Sequence, residues 1–459
     1  MITPYSTATE MLAALAAGQI SPSELLELHL DRIARFNPEL NAIVTFNAEV
    51  ARARVRGPLA GALAGLPVTI KDSIDVAGLP TTSGDPARRA AVPPQDSPLA
   101  AGVLGAGAVL MGKTNVPLMT GDWQTNNQLF GRTANPWDPA RTPGGSTGGG
   151  AAALAAGLTP LEFGSDIGGS IRVPAAFCGV FGHRPSEGLV PPEGHFPGPA
   201  PMGVMGPLAR AAGDLRLALD VIRARDLPPP RAASLWGLRV AVLPWIGWLP
   251  VDAEIAAALE ELAARLPNPR SAQPAAYQAW AQEGLYASWL AAATFTEGGE
   301  RREKVAEALR RAPEPLAPAM LRGLRAAESG MGELEAERAR ATEMWAAFFQ
   351  DFDLLLTPAT IVNAFPHDEG PFLRRTVDVN GEPQPYKRLE VYPGLAALTG
   401  LPATAFPAGQ TRGGLPIGLQ AIGPPMEDLT PLHFAALLET ELGYTFQAPP
   451  TYSGVTTQS

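Results

Sequence analysis

The first 35 residues carry the apolar spacing of two amphipathic helices. Thr7 and Glu10 form a capping box ahead of the run MLAALAAG. Ser21 and Glu24 form a second box, with a proline at the first helical position between them. The apolar residues after this box recur every three or four positions, which predicts that one face of the second helix packs against the protein core.

Short apolar runs replace this helical spacing further along the chain. LPVTIKDS, GAVLMGK and LEFGS are typical of buried strands, and SPLAAGVLGAG predicts a small helix between the first two of them. This alternation of strands and helices predicts an α/β fold. We expect a mixed or parallel sheet with helices on both faces.

The second half of the chain places further strand signals around a helical block. Residues from about 251 to 350 are rich in Ala, Glu and Arg and predict helices, and FDLLLTPAT after them predicts a strand. GLPATAFPAG and GLPIGLQAIG predict two paired strands ahead of a closing helix. The proline-rich LPPPR suggests a boundary between two lobes.

Composition and charge narrow the class of protein. The 459 residues are 46% hydrophobic and 17% charged, which is enough for a large buried core. The net charge of -10 argues against nucleic acid or an anionic membrane as a partner. No apolar run is long enough to span a membrane and the first residues lack a basic signal segment, so we expect a soluble cytoplasmic protein.

The cysteine and histidine content argues against a disulfide and against a metal site. Cys178 is the single cysteine, which excludes an internal disulfide and a thiolate zinc site. The five histidines are scattered without the spacing of a metal-binding pair, so we expect no metal and no cofactor. His183 and His195 lie near two glycine-rich loops, where either could act as a base, and we favour an ordinary structural role for both.

Two short motifs match known patterns but stand in the wrong context. Gly107–Thr114 fits the P-loop, yet its middle residues are apolar and predict a buried strand rather than a phosphate-binding loop. Gly144–Gly148 fits the nucleophile elbow G-x-S-x-G, yet a proline-rich segment precedes it where that motif requires a strand. Neither motif therefore defines the chemistry of this chain.

Lys71 is a candidate base because it ends the apolar run LPVTI. A serine hydroxyl is a poor nucleophile until a base takes its proton, and a neutral lysine can be that base. Removal from water lowers the pKa of a lysine in the required direction. Taken alone, the residue fits a surface lysine at a strand terminus better, so its role depends on serines elsewhere in the chain.

The glycine-rich loop SDIGGSIRVP can form an anion-binding site. Its four central residues can direct successive backbone N–H groups to one point, since adjacent glycines permit the required dihedral angles. These residues are Ile167, Gly168, Gly169 and Ser170. Such donors stabilise the oxyanion of acyl transfer, and Ser170 would attack from beside them. Asp166 and Arg172 flank the loop at positions suited to holding it in place.

An earlier glycine-rich loop, PGGSTGGG, supplies the second serine. Ser146 in this loop can pass a proton between Lys71 and Ser170. The helix predicted behind it has mostly small side chains, which would let the two loops pack closely. The residues favour Ser170 over Ser146 as the nucleophile without settling the choice.

Four long stretches together resemble the amidase signature family. They are VTIKDSIDVAGLPTTSG, GKTNVPLMTGDWQTNNQLFGRTANPWDPARTPGGSTGGGAAALAAG, LEFGSDIGGSIRVPAAFCGVFGHRPSEGLVP and the C-terminal GLPATAFPAGQTRGGLPIGLQAIGPPMEDLTPLHFAALLE. The resemblance covers most of the chain and is weakest over about residues 225–345. It implies a single amidase signature domain over residues 1–459, with the catalytic motifs between about 60 and 205, a more variable helical region at about 250–350 and a large mixed β-sheet core.

The resemblance also implies a Ser-Ser-Lys triad. In this sequence Lys71 would be the base, Ser146 the bridging serine and Ser170 the nucleophile, with a cis peptide bond before Ser146. Residues 167–170 would supply the oxyanion hole. The implied reaction is hydrolysis of a small-molecule amide through an acyl-enzyme, without a cofactor.

Two further features of the resemblance concern the surroundings of the triad. The first loop of the family usually reads G-G-S-S-G-G, and Thr147 here replaces the second serine. Threonine keeps the hydroxyl, although β-branching can alter the fit of the loop. Met119 and Thr120, just after NVP, would line the acyl pocket.

Alternative functions remain open from the sequence. The glutaminase subunit of a tRNA-dependent amidotransferase shares these motifs, but it usually continues to a segment ending S-S-L-D-Q, where this chain has EGHFPGPAPMGVMGPLAR. A catalytically silent scaffold is a third possibility, against which the intact Lys71, Ser146 and Ser170 argue. A homodimer is the self-association we consider.

Overall fold

The structure, a computed structural model, describes residues 1–198, 200–294, 299–311 and 314–453. Its strands are β1 (Ile43–Phe46), β2 (Pro67–Lys71), β3 (Val109–Thr114), β4 (Asn126–Asn127), β5 (Gly131–Arg132), β6 (Leu161–Asp166), β7 (Phe181–Arg184), β8 (Val204–Ala209), β9 (Val240–Val242), β10 (Arg270–Ser271), β11 (Leu354–Pro358), β12 (Thr376–Val379), β13 (Glu382–Pro385), β14 (Ala403–Gln410) and β15 (Pro416–Ile422). Its helices are α1 (Ala8–Ala16), α2 (Pro22–Leu40), α3 (Ala48–Arg54), α4 (Pro98–Gly105), α5 (Gly148–Ala155), α6 (Arg172–Cys178), α7 (Ala212–Ile222), α8 (Ala253–Arg265), α9 (Ala279–Thr294), α10 (Glu300–Arg311), α11 (Ala317–Ser329), α12 (Gly332–Asp351), α13 (Val391–Thr399) and α14 (Leu429–Leu442).

One large mixed sheet forms the core, which confirms the predicted fold class. Eleven strands of the described chain join in the order β1-β3-β2-β6-β8-β7-β14-β15-β11-β9-β10. The strands β3, β2 and β6 are parallel neighbours, whereas β6, β8, β7, β14, β15 and β11 pair antiparallel in turn. Because parallel neighbours end at the same edge of a sheet, the last residues of β2 and β6, Lys71 and Asp166, lie close together.

Helices cover both faces of this sheet, as predicted. Along β3, Leu110 belongs to one buried cluster, while Val109 and Met111 belong to another, because successive side chains of a strand point to opposite faces. The first cluster includes apolar residues of α1, α4, α7 and α14. The second includes six consecutive residues, Ala151–Ala156, from α5 and the residue that follows it.

The helix caps predicted near the N-terminus and the strand pair predicted near the C-terminus are both present in the structure. Both predicted capping boxes are present, with Thr7 and Ser21 each accepting from the backbone three residues later. The two predicted C-terminal strands pair antiparallel as β14 and β15. Among the helices of the described residues, none has the length and apolar character needed to cross a membrane.

Two aspects of the sheet differ from the sequence prediction. The sequence does not predict the central strands β7 and β8, because glycine and proline in VMGPLA hide the strand pattern of β8. The lobe boundary expected at LPPPR is wrong, since β9 and β11 beyond it belong to the same sheet as β2 and β6. The proline-rich segment is therefore a connection within one sheet.

Candidate active site

Lys71 lies at the carboxyl end of β2 and is fully buried. Its Nζ donates to Ser146 Oγ at 2.8 Å and to Ser165 Oγ at 2.9 Å, with the carbonyl of Ser165 at 3.3 Å. Burial lowers the pKa of Lys71 to about 7, although the negative charges of Asp166 and Glu162 oppose that shift. The alternative of a surface lysine is therefore excluded, and a substantial fraction of the amine is neutral near pH 7.

Close backbone approach explains the glycines around Ser146. A Cβ atom at Gly145 would lie 2.4 Å from the carbonyl oxygen of Asp122, and the Gly145–Ser146 peptide bond is cis, as the family resemblance implies. At the start of α5, a Cβ atom at Gly150 would lie 2.4 Å from Glu162 Cγ. The glycines therefore let the loop and the helix sit directly against their neighbours, which places Ser146 at the end of β2.

Asp166 holds the second loop from its base. Its carboxylate accepts from the backbone N–H of Gly169 and Ile171, and the guanidinium of Arg172 donates to it at 3.0 and 2.9 Å. Burial alone would raise the pKa of Asp166, but the charges of Arg172 and Arg184 and these hydrogen bonds outweigh it and hold that pKa well below its usual range. The expected ion pair of Asp166 and Arg172 is present and fully buried.

Arg172 also connects this loop with the other half of the sheet. Its Nη1 donates to the side-chain oxygen of Gln420, in β15, at 2.8 Å. The amide nitrogen of Gln420 in turn donates to Thr357 Oγ1 and to the carbonyls of Pro358 and Tyr392. The loop that carries Ser170 is thus fixed on one side by β6 and on the other by β11, β15 and α13.

Three of the four backbone donors expected in this loop are free. The N–H of Gly169 donates to Asp166 at 3.0 Å, whereas the other three have no such partner, so the role of Gly169 in an oxyanion hole stays a prediction. Within the described ranges, the N–H groups of Ile167, Gly168 and Ser170 form no hydrogen bond with another part of the chain. These three can serve a developing negative charge.

Two aromatic side chains fix the peptide planes of the loop. Trp123 Nε1 donates to the carbonyl of Gly168, and the hydroxyl of Tyr286, in α9, donates to the carbonyl of Ile167, both at 2.9 Å. A Cβ atom at position 168 would lie 2.7 Å from the Tyr286 hydroxyl oxygen, so a side chain there would displace that hydroxyl from its bond to Ile167. No pattern in the sequence indicates Tyr286, since it reaches the loop from the helical region.

Thr147 joins the two serine loops. Its N–H donates to the carbonyl of Ser170 at 3.0 Å, and its Oγ1 donates to the carbonyl of Ser165 at 3.3 Å. The added methyl group lies over Gly164, where a Cβ atom would be only 2.5 Å from it. Thr147 therefore forms a hydrogen bond through its hydroxyl, which a serine also has. Gly164, in β6, leaves space for the additional methyl group of threonine.

Two ionisable residues, Glu162 and Lys113, are buried in the strands next to β2. The sequence does not indicate that either lies near Lys71. Glu162, buried in β6, accepts from Thr69 at 2.5 Å and from Thr114 at 2.6 Å, and burial raises its pKa to about 7. Lys113 lies inside β3, fully buried, 3.5 Å from the carboxylate of Asp72. The P-loop match is thereby excluded, because its lysine is part of a strand and faces a carboxylate.

His183 and His195 are bonded to residues other than Ser170. His183 is bonded to Thr404 at 2.9 Å and to Asp428 at 3.2 Å, which is the structural role expected for it. His195 Nε2 lies 2.9 Å from Ser165 Oγ. In the part of the chain that the structure covers, neither imidazole forms a hydrogen bond with Ser170, so the geometry favours a lysine base.

Met119 and Thr120 lie in a short turn that follows β3. Both are half-buried and have a φ of 54°, and the N–H of Met119 donates to the carbonyl of Ser83 at 2.7 Å. No hydrogen bond among the described residues connects them to either serine loop. Their place in an acyl pocket stays a prediction.

Known proteins resemble this chain along nearly its whole length. The family model described as Amidase matches residues 24–432. A subunit of the glutamyl-tRNA(Gln) amidotransferase of Thermus thermophilus is 34% identical over 94% of this chain and 96% of that protein. An acylamidase of Rhodococcus erythropolis is 33% identical over 95% of both. A bacterial aryl acylamidase of the amidase signature family aligns with a TM-score of 0.77 at 27% identity, over 95% of this chain and 96% of that one.

Proposed function

Since the chain belongs to the amidase family and is an amide hydrolase, we propose that it acts through an acyl-enzyme formed on Ser170. Lys71 is the base in this proposal, and Ser146 carries protons between the two. The observation that carries it is the 2.8 Å hydrogen bond between Lys71 Nζ and Ser146 Oγ, made by a lysine whose burial lowers its pKa to about 7.

The first half of the reaction forms the acyl-enzyme. Ser170 Oγ bonds to the carbonyl carbon of the substrate while its proton passes to Ser146 Oγ and the proton of Ser146 passes to neutral Lys71. The carbonyl oxygen becomes an oxyanion that accepts from the free N–H groups of the loop. A donor of this kind is worth about 3–4 kcal/mol in a well-studied protease.

The second half releases both products. The C–N bond breaks with its electron pair on nitrogen, and the Lys71 ammonium returns a proton through Ser146, so that ammonia or an amine leaves. Water then attacks the ester, and the same relay takes its proton. Collapse of this second intermediate frees the carboxylic acid and restores Ser170. Esters should be substrates too, because they pass through the same acyl-enzyme.

The direct test is turnover by the purified protein. A panel of aliphatic, aromatic and peptide amides is assayed for ammonia or amine release, and a slowly hydrolysed ester is used to trap the acyl-enzyme for peptide mass spectrometry. We expect the acyl group on the peptide that contains Ser170. An acyl group on Ser146, or turnover without any covalent intermediate, would contradict the proposal.

A second candidate function rests on the similarity to the amidotransferase of Thermus thermophilus. In that case the protein would release ammonia from glutamine only when partner proteins are present. The same panel separates the two functions. Hydrolysis of amides other than glutamine by the isolated chain supports the amidase, whereas activity confined to glutamine and dependent on partner proteins supports the amidotransferase.

We expect kcat/KM to rise with pH through about pH 7, because only neutral Lys71 can accept the proton. Glu162→Gln should move this acid limb to lower pH by on the order of one unit, since it removes a negative charge that raises the pKa of Lys71. Glu162 and Lys71 both titrate near pH 7, so the wild-type limb belongs to the pair. The measurement is kcat/KM between about pH 5 and 9.

The matched control for this pH profile is Glu439→Gln. Glu439 is a carboxylate on α14 that accepts from the N–H of Ala212, on another helix, and has no contact with Lys71. Its replacement should leave the acid limb in place. A limb that stays unchanged in Glu162→Gln, or moves to higher pH, would contradict the electrostatic role of Glu162.

A further inference from the structure

His195 is connected to the candidate base through a single serine. Its Nε2 lies 2.9 Å from Ser165 Oγ, and the same hydroxyl oxygen accepts from Lys71 Nζ at 2.9 Å. Ser73 Oγ lies 3.1 Å from the same imidazole nitrogen. The reaction steps given above use neither His195 nor Ser165, so this contact is left without a role.

The backbone around His195 holds the imidazole in place. An isolated antiparallel bridge pairs His195 with Ile74, and the N–H of Phe196 donates to the carbonyl of Ser73 at 2.8 Å. The guanidinium of Arg88 lies 3.6 Å from the centre of the Phe196 ring. The segment is therefore attached just after β2, and the ring is directed at the end of that strand.

The imidazole is neutral at this position. Burial and then the positive charge of Lys71 lower the pKa of His195 to about 3, and the backbone of Gly198 opposes the shift only in part. A neutral imidazole has one nitrogen that donates and one that accepts. We assign the proton to Nδ1, which leaves the single lone pair of Nε2 to accept from one of the two serine hydroxyls that lie within hydrogen-bond distance of it.

We propose that His195 is a positioning residue for Lys71 and acts through Ser165. This inference rests on the proposed function of Lys71 as the base. The Nε2 atom accepts the hydrogen of the Ser165 hydroxyl, so the oxygen of Ser165 presents its lone pairs to the N–H groups of Lys71. The lone pair of neutral Lys71 is then left for the proton of Ser146.

Loss of the Nε2 acceptor would reverse the direction of the hydrogen bond between Ser165 and Lys71. The Ser165 hydroxyl then has the Lys71 amine as a basic neighbour at 2.9 Å and can donate to its lone pair. In that arrangement Ser165 competes with Ser146 for the base. The effect falls on proton transfer rather than on substrate binding, so it should lower kcat and leave KM nearly unchanged.

The first test compares an apolar and a polar replacement of His195. His195→Leu removes the acceptor and should lower kcat by on the order of tenfold to a hundredfold, part of what a general base contributes, with KM changed less than about twofold. His195→Gln keeps an acceptor oxygen and should restore most of the rate. An unchanged kcat in His195→Leu, or a His195→Gln variant as slow as His195→Leu, would overturn the inference.

The second test is a double-mutant cycle with Ser165→Ala. Because His195 acts through Ser165, His195→Leu should add little further loss of kcat once the serine hydroxyl is gone. Independent, multiplicative losses would mean that His195 acts by another route. Thermal unfolding of each variant checks that the fold is retained.

The failure of this inference can be told apart from failure of the proposed function. If Lys71→Met severely lowers kcat and Ser170→Ala removes turnover while the His195 and Ser165 losses multiply, only the positioning role is lost. If Lys71→Met keeps its activity, the proposed base is wrong, and the positioning role of His195 fails with it.

Discussion

Ser170→Ala is expected to remove measurable amide turnover and all labelling by a fluorophosphonate probe. The loss should be on the order of 10⁶-fold in kcat, as for removal of the nucleophile in a well-studied serine protease. Alanine leaves the bonded pair of Lys71 and Ser146 and the three free N–H donors in place, but no atom remains to form the ester. The measurements are kcat with the best amide of the panel and probe incorporation by mass spectrometry.

A buried serine outside the site provides the control. Ser288 in α9 is fully buried and donates to the carbonyls of Gly284 and Ala319. Ser288→Ala should label normally and keep its kcat, even if it unfolds at a lower temperature. Labelling of Ser170→Ala at another serine, or retention of turnover, would move the nucleophile away from Ser170.

Lys71→Met is expected to lower kcat by about 10³-fold to 10⁴-fold while the protein stays folded, because a base of this kind contributes on that order. Methionine fills most of the volume of the lysine stem without an amine. The folded pKa of about 7 lies below the ordinary 10.5, so the unfolded chain binds more protons between these values. The lysine therefore disfavours folding at neutral pH, and its replacement should not lower the free energy of unfolding.

Lys113→Met, in the neighbouring strand β3, is expected to lower the free energy of unfolding, unlike Lys71→Met. Lys113 is equally buried, but its Nζ lies 3.5 Å from Asp72 and donates to the carbonyl of Pro80 and to Thr81 Oγ1. Removing it leaves a buried carboxylate without its partner, which should cost about 3–5 kcal/mol of stability. Urea unfolding and kcat, measured on both variants, separate a catalytic lysine from a structural one.

Comparison of the two lysine variants distinguishes a loss of proton transfer from a loss of folding. If Lys71→Met unfolds as readily as Lys113→Met, its loss of activity says nothing about proton transfer. If Lys71→Met is stable and active, the base lies elsewhere. Stability with severe loss of kcat is the outcome that the hydrogen bond from Lys71 to Ser146 predicts.

Local patterns in the sequence predict the parts of the site that depend on local backbone geometry. The capping residues define the starts of α1 and α2, and the glycine-rich loops indicate where serines and backbone donors could meet. Lys71 ends an apolar run, which makes it a candidate, but only the resemblance to the amidase signature family singles it out as the base. These features depend on neighbouring residues, so a single sequence contains them.

Contacts between distant parts of the chain cannot be predicted from such local patterns. Glu162 looks like an ordinary strand residue in LEFGS, and only the register of β2 with β6 places it against Thr69 and near Lys71. The link from His195 through Ser165 requires a loop after β7 to fold back over β2. The engaged N–H of Gly169 depends on the side-chain direction of Asp166, which sequence spacing does not specify.

The bond between Arg172 and Gln420 has a consequence for synthesis on the ribosome. These residues are 248 positions apart, so the residues of the proposed triad emerge long before β15, the strand that supports the loop of Ser170. A nascent chain that ends before β15 contains Lys71, Ser146 and Ser170 but lacks the outer anchor of Arg172. We expect hydrolytic activity to arise only after β15 has been synthesised and has paired with its neighbours.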